Sequence, residues 1–75
     1  MYKSVPEWRD ELKQGVSEDM VAWWLHKGEE AGYFKSVLIP VSKGSEQFRR
    51  VYKPRFGKKK IALNYLKLMV ESREN

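Results

Sequence analysis

The sequence predicts a single small α+β domain over residues 1–75, with its elements in the order helix, helix, strand, strand, helix. Three observations lead there. Two capped amphipathic segments occupy residues 1–33. A β-branched run is then followed by turn residues and an alternating return run. A last segment with helical apolar spacing closes the chain.

The first helix is expected over about 5–13. Ser4 followed three residues later by Glu7 forms a capping box, and Pro6 suits a first helical turn, where its missing N–H is no loss. Trp8 and Leu12, four apart, share one face, and Gly15 ends the element. The second helix is expected over about 18–31. Ser17 is a good N-cap, and Glu18 and Asp19 favour the positive end of the helix dipole. Val21, Trp24, Leu25 and Gly28 form its apolar stripe, with Met20, Trp23 and Lys27 beside it, and Gly32 stops it.

A hairpin follows. Ser36 to Ser42 is rich in β-branched residues, with Val37, Ile39 and Val41 alternating onto one face. Lys43-Gly44-Ser45-Glu46 supplies turn chemistry. Gln47 to Lys53 is the return strand, with Phe48, Arg50 and Tyr52 on one face and Arg49, Val51 and Lys53 on the other. Pro40 offers no N–H, so its strand is expected at an edge or bulged. The final helix is expected over about 58–72. Ile61, Tyr65, Leu68 and Met69 form its stripe, with Ala62 and Leu66 adjacent.

A chain of 75 residues has room for one core and no deep substrate cleft. Stability must come from a few large side chains, which three Trp, four Tyr and three Phe supply. With no Cys, disulfides and thiolate metal sites are excluded, in keeping with a reducing compartment. The sequence contains neither a membrane-spanning apolar run nor a signal-peptide pattern, so a cytoplasmic protein is expected. His26 is the single imidazole, no Gly-rich phosphate loop is present, and the carboxylates form no metal-loop pattern. The chain therefore reads as a non-enzyme without cofactor or metal.

Charge is unevenly distributed. Residues 1–33, the helical half, hold four basic residues against seven acidic ones, a balance of −3. The hairpin (34–57) and last helix (58–75) together hold eleven against three, a balance of +8. Such asymmetry points to a polyanionic partner. It is concentrated in Arg49–Lys60, where seven of twelve residues are basic and Tyr52 and Phe56 are interleaved. Cations there can neutralise phosphates, and aromatics can stack on unpaired bases. Lys58, Lys59 and Lys60 fall where the last helix starts, and cations at a helix N-terminus oppose its dipole. A bound phosphate would resolve that conflict. The bland reading has the helix begin near Ile61 and leaves the lysines in a loop. Trp23 cannot share the stripe centre with Trp24. It is expected to pack against the last helix, and if exposed it would mark a protein-binding patch.

The run Met1-Tyr2, Glu7-Trp8, Ser17, Val21 and Trp24-Leu25, followed by a hairpin, resembles the small winged-helix excisionases of temperate phages and, more loosely, the DNA-binding domains of MerR-type regulators. The resemblance covers residues 1–53. It implies a recognition helix entering the major groove and a hairpin wing reaching the adjacent minor groove, in a protein that bends DNA and directs a recombinase without catalysis. On that reading Lys43, Arg49, Arg50 and Lys53 lie on the wing; the basic last helix has no counterpart in the resemblance, and Arg55, Lys58, Lys59 and Lys60 are expected from their charge to hold further backbone. His26 and Lys27 are the polar candidates of a recognition helix that is otherwise acidic. Two other readings compete. One is a protein–protein module, such as a phage-encoded inhibitor of a host protein, docking through Trp23 and the acidic half. The other is a single-strand or RNA binder that stacks bases on Tyr52 and Phe56. A homo-oligomer is compatible with all three.

Overall fold

The computed structural model describes residues 1–12 and 15–73. Its elements are β1 (Lys3–Ser4), α1 (Val5–Glu11), α2 (Glu18–Glu30), β2 (Phe34–Pro40), β3 (Phe48–Pro54) and α3 (Lys59–Arg73). The expected order stands, with one addition. The N-terminal β1 pairs antiparallel with β3, Lys3 opposite Tyr52 and Ser4 opposite Val51. The result is a three-stranded antiparallel sheet in the order β1-β3-β2, compatible with a small winged-helix-like fold. Two residues are too few to show a strand period, which is why β1 has no signature in the sequence.

Ser4 serves both elements it joins. Its backbone belongs to the sheet, while its hydroxyl accepts the Glu7 N–H and the Glu7 carboxylate accepts the Ser4 N–H at 2.8 Å. The backbone and side-chain bonds to Ser4 hold the exposed Glu7 carboxyl below its ordinary pKa. Helix α1 ends at Glu11, because Leu12 turns to extended backbone and lays its side chain against the core. The expected end at residue 13 lies outside the described residues.

The core gathers Trp8, Val16, Val21, Trp24, Leu25, Phe34, Tyr52, Ala62, Leu66 and Val70. Phe34 is fully buried at the start of β2, two residues earlier than the expected start of that strand. Its ring meets Trp8 edge-on at 5.7 Å, and the Trp8 indole N–H donates to the Tyr52 carbonyl at 3.1 Å. Gly28 lets α2 pass close over this ring. A Cβ there would lie 2.8 Å from Phe34 and 3.0 Å from Tyr65. Tyr65 on α3 donates its hydroxyl to the Trp24 carbonyl at 2.7 Å, tying α3 to α2.

Two expectations are corrected. The buried face of α3 is Ala62, Leu66 and Val70, with Tyr65 and Met69 at its margin, whereas Ile61 and Leu68 are exposed. Apolar residues occur almost all round this helix, so spacing alone does not fix its rotation. Trp23 lies on the outer side of α2 and is 56% exposed, so it does not pack on α3.

The hairpin runs past the helical layer. Phe34 to Pro40 pair with Pro54 to Phe48, and the backbone of Val41 still bonds Gln47 beyond them. As expected from Pro40, β2 is an edge strand. Val37, Ile39 and Val41 are aligned on one face as predicted, yet all are exposed, as are Leu38 and Phe48. Val37 and Ile39 lie on the sheet face opposite to that of Ser36, which bonds Glu29 of α2, and Val41 borders an open groove with Pro6 and Ala22. A chain of 75 residues packed as a sphere would have a radius of gyration of roughly 11 Å, and the protruding hairpin raises it to 12.6 Å.

Candidate nucleic-acid interface

The sheet register decides where the basic residues point. Successive side chains alternate faces, so Arg49 and Arg50 diverge. Arg50 faces α2, where its guanidinium donates to the Ser36 hydroxyl at 2.8 Å, and that hydroxyl donates in turn to the Glu29 carboxylate at 2.8 Å. This chain of bonds anchors Arg50 and offsets part of its charge. Arg49 alternates to the other side of the strand, yet both arginines border one open groove of about 540 Å³, with Val5, Pro6, Ala22 and Val41. Lys43 sits in the loop at the far tip of the hairpin, apart from the others.

At the opposite end of the hairpin the structure brings cations together. Lys53 lies directly across from Lys35 in the ladder, with its ammonium 4.9 Å above the Tyr2 ring. The chain then passes through Arg55, Phe56 and Gly57 to Lys58, and α3 starts at Lys59. Lys35, Lys53, Arg55, Phe56 and Lys59 line one hollow of about 370 Å³. Like charges directly opposite on neighbouring strands are unfavourable. So is a cationic first helical turn, and α3 has no acidic residue in its first turn. Two local rules are thus broken side by side. Among the described residues, none of Lys35, Lys53, Arg55, Lys58, Lys59 and Lys60 is ion-paired to a carboxylate.

Lys35 lies outside the strand expected from Ser36 and so is absent from the expected contacts; the signal that extends the strand to it is Phe34, an apolar residue beside the β-branched run. Starting the strand there brings Lys35 into it. The lysines at the start of α3 are within or next to its first turn, so the reading that left them in a loop is corrected.

The outer face of α2 is of opposite character. It presents Glu18, Asp19 and Glu30, with the half-buried Glu29 turned to the sheet, and its two cationic candidates are engaged. His26 lies 3.3 Å from the Glu30 carboxylate and beside the Trp23 ring. Lys27 lies 3.4 Å from Glu30 and 4.6 Å over Trp23. Glu18 meets Arg9 at 3.4 Å, and Glu29 accepts from Ser36. Of the two proposed stacking aromatics, Tyr52 is corrected. It is 5% exposed, and burial first, then the nearby Glu29 carboxylate, pushes its hydroxyl above its ordinary pKa. Phe56 is fully exposed.

Among the described residues, no group of His, Asp or Glu is placed to hold a metal ion, and no helix is long and apolar enough to cross a membrane. No protein-family model, curated protein or solved structure matches the chain.

Proposed function

We propose that this chain is a small, non-enzymatic DNA-binding protein that grips duplex DNA by its phosphates through the basic end of the hairpin and the start of α3. It acts in the cytoplasm as an architectural factor or transcriptional regulator of phage or mobile-element type, as its resemblance to winged-helix excisionases implies. The observation that carries the reading is the Lys35–Lys53 pair running into Arg55 and Lys58–Lys60 without carboxylate partners among the described residues. Backbone phosphates would relieve both the cross-strand repulsion and the dipole conflict, and release of condensed counterions would drive association. The acidic face of α2 opposes entry of that helix into a groove, so these contacts position the protein and do not read sequence.

Fluorescence anisotropy against random duplex DNA, single-stranded DNA and RNA, at increasing salt, tests this. The expected result is duplex binding at micromolar or tighter affinity that weakens steeply with salt. Replacing Lys35 and Lys53 with Ala should weaken binding to all sequences alike and reduce the log–log salt slope by about 2. Absence of binding to any nucleic acid at low salt would sink the reading. A second reading, a protein–protein module, draws on exposed Trp23 within the acidic face of α2. Quenching of one tryptophan by acrylamide, relieved on adding a protein partner, would support it.

A further inference from the structure

Phe56 is the most solvent-exposed large apolar side chain of the described residues, more so than the N-terminal Met1. Nothing in the fold requires it. It occupies the second position of a tight turn, where the Lys58 N–H donates to the Arg55 carbonyl at 2.9 Å and Gly57 takes φ +77°. The second position of such a turn accepts most residues, and Pro is favoured. A ring held wholly in water loses the burial free energy that an aromatic side chain otherwise contributes.

The turn is also held rigidly. The Arg55 N–H donates to the Tyr33 carbonyl at 3.0 Å, fixing its entry to the start of the sheet. The Lys58 carbonyl accepts the Ala62 N–H at 2.8 Å, fixing its exit to α3. Phe56 is thereby presented on a preformed support, which lowers the ordering cost of any contact it makes. Around it stand Lys35, Lys53, Arg55 and Lys59, lining the same hollow.

We propose that this hollow is a subsite for one unpaired nucleotide of an otherwise duplex DNA, with its base stacked on Phe56 and its flanking phosphates held by Lys35, Lys53, Arg55 and Lys59. A lone aromatic face accepts any base, while the surrounding cations accept only an anion, so the pair of features selects a nucleotide without selecting its sequence. Within a continuous duplex the bases are stacked on one another and offer no free face. A bulged, flipped-out nucleotide does. This rests on the DNA-binding reading above and narrows it to duplexes bearing an unstacked base.

The test compares wild type, Phe56→Ala and Phe56→Trp on a blunt duplex and on the same duplex with a single-base bulge, by anisotropy at low and moderate salt. Wild type should bind the bulged duplex about 10-fold more tightly. Phe56→Ala should bind both duplexes equally, with blunt-duplex affinity and salt slope unchanged. Phe56→Trp should retain the preference. Circular dichroism spectra identical to wild type would show that the turn substitutions leave the fold intact. Equal wild-type affinity for the two duplexes, or a preference that survives Phe56→Ala, would overturn the subsite while leaving duplex binding in place. Failure of wild type to bind either duplex would instead overturn the DNA reading, and the subsite with it.

Discussion

Tyr65 couples two helices through one hydroxyl, which donates at 2.7 Å to the carbonyl of Trp24. Its ring also leans on Tyr33 at 5.4 Å and Phe34 at 6.5 Å. Burial, and secondarily Tyr33, raises its pKa above the ordinary phenol value. The sign of the resulting pH dependence follows directly. The folded protein keeps this proton after the unfolded chain has lost its own, so the neutral phenol contributes stability throughout the range below about pH 10. That contribution is lost as pH rises through the raised folded value. Tyr65→Phe should cost about 1 kcal/mol at neutral pH, the net worth of one hydrogen bond. Chemical denaturation of the variant at alkaline pH should show a shallower decline than wild type. Tyr52 is raised for the same primary reason, so some alkaline decline should persist in the variant. An unchanged alkaline profile would mean that the Tyr65 hydroxyl contributes nothing to the α2–α3 junction.

At the scale of elements, α3 begins against its own dipole, and stability and binding should therefore separate there. Replacing Lys59 and Lys60 with Glu puts carboxylates where α3 has none. Thermal unfolding should show a gain of roughly 0.5–1 kcal/mol, while duplex affinity falls. A variant that gained stability without losing affinity would remove α3 from the interface. The charge conflict at the start of α3 was legible because Lys58, Lys59 and Lys60 are adjacent in sequence, whereas the sequence left open a start at the lysines or near Ile61, and the structure begins the helix at Lys59. Helix α2 was equally legible, since Ser17 caps it and Val21, Trp24, Leu25 and Gly28 define its buried face. The rotation of α3 was not, because Ile61 and Leu68 are as apolar as Leu66 and Val70, and only packing against Phe34 and α2 decides among them. The fate of the hairpin was also hidden. Val37 and Ile39 alternate as core residues would, yet they share the sheet face of Arg49, opposite the Ser36–Glu29 contact with α2, and no local pattern records which face the helices cover.

At the scale of the whole molecule, the charge asymmetry seen in sequence survives folding as two surfaces. One is the cationic end of the hairpin with the start of α3, and the other is the outer face of α2 with Glu18, Asp19 and Glu30. The sequence located the basic segment but could not assemble the site within it. Arg49, Arg50 and Lys53 are close in the chain, yet Arg50 is tied to Ser36 and Glu29 and both arginines border a different hollow from Lys53, while Lys35 joins Lys53 only through the strand register. If DNA lies on the cationic surface, the α2 carboxylates act on it only through the long-range field of the protein. Neutralising Asp19 and Glu30 as Asn and Gln should then tighten duplex binding about threefold at low salt. The effect should shrink between about 50 and 200 mM salt, as the screening length falls while binding is still measurable. Anisotropy titrations across that range would resolve it. Weaker binding in the same variant would place α2 against the nucleic acid, its carboxylates accepting from base amino groups, and would restore a groove-entering role to that helix.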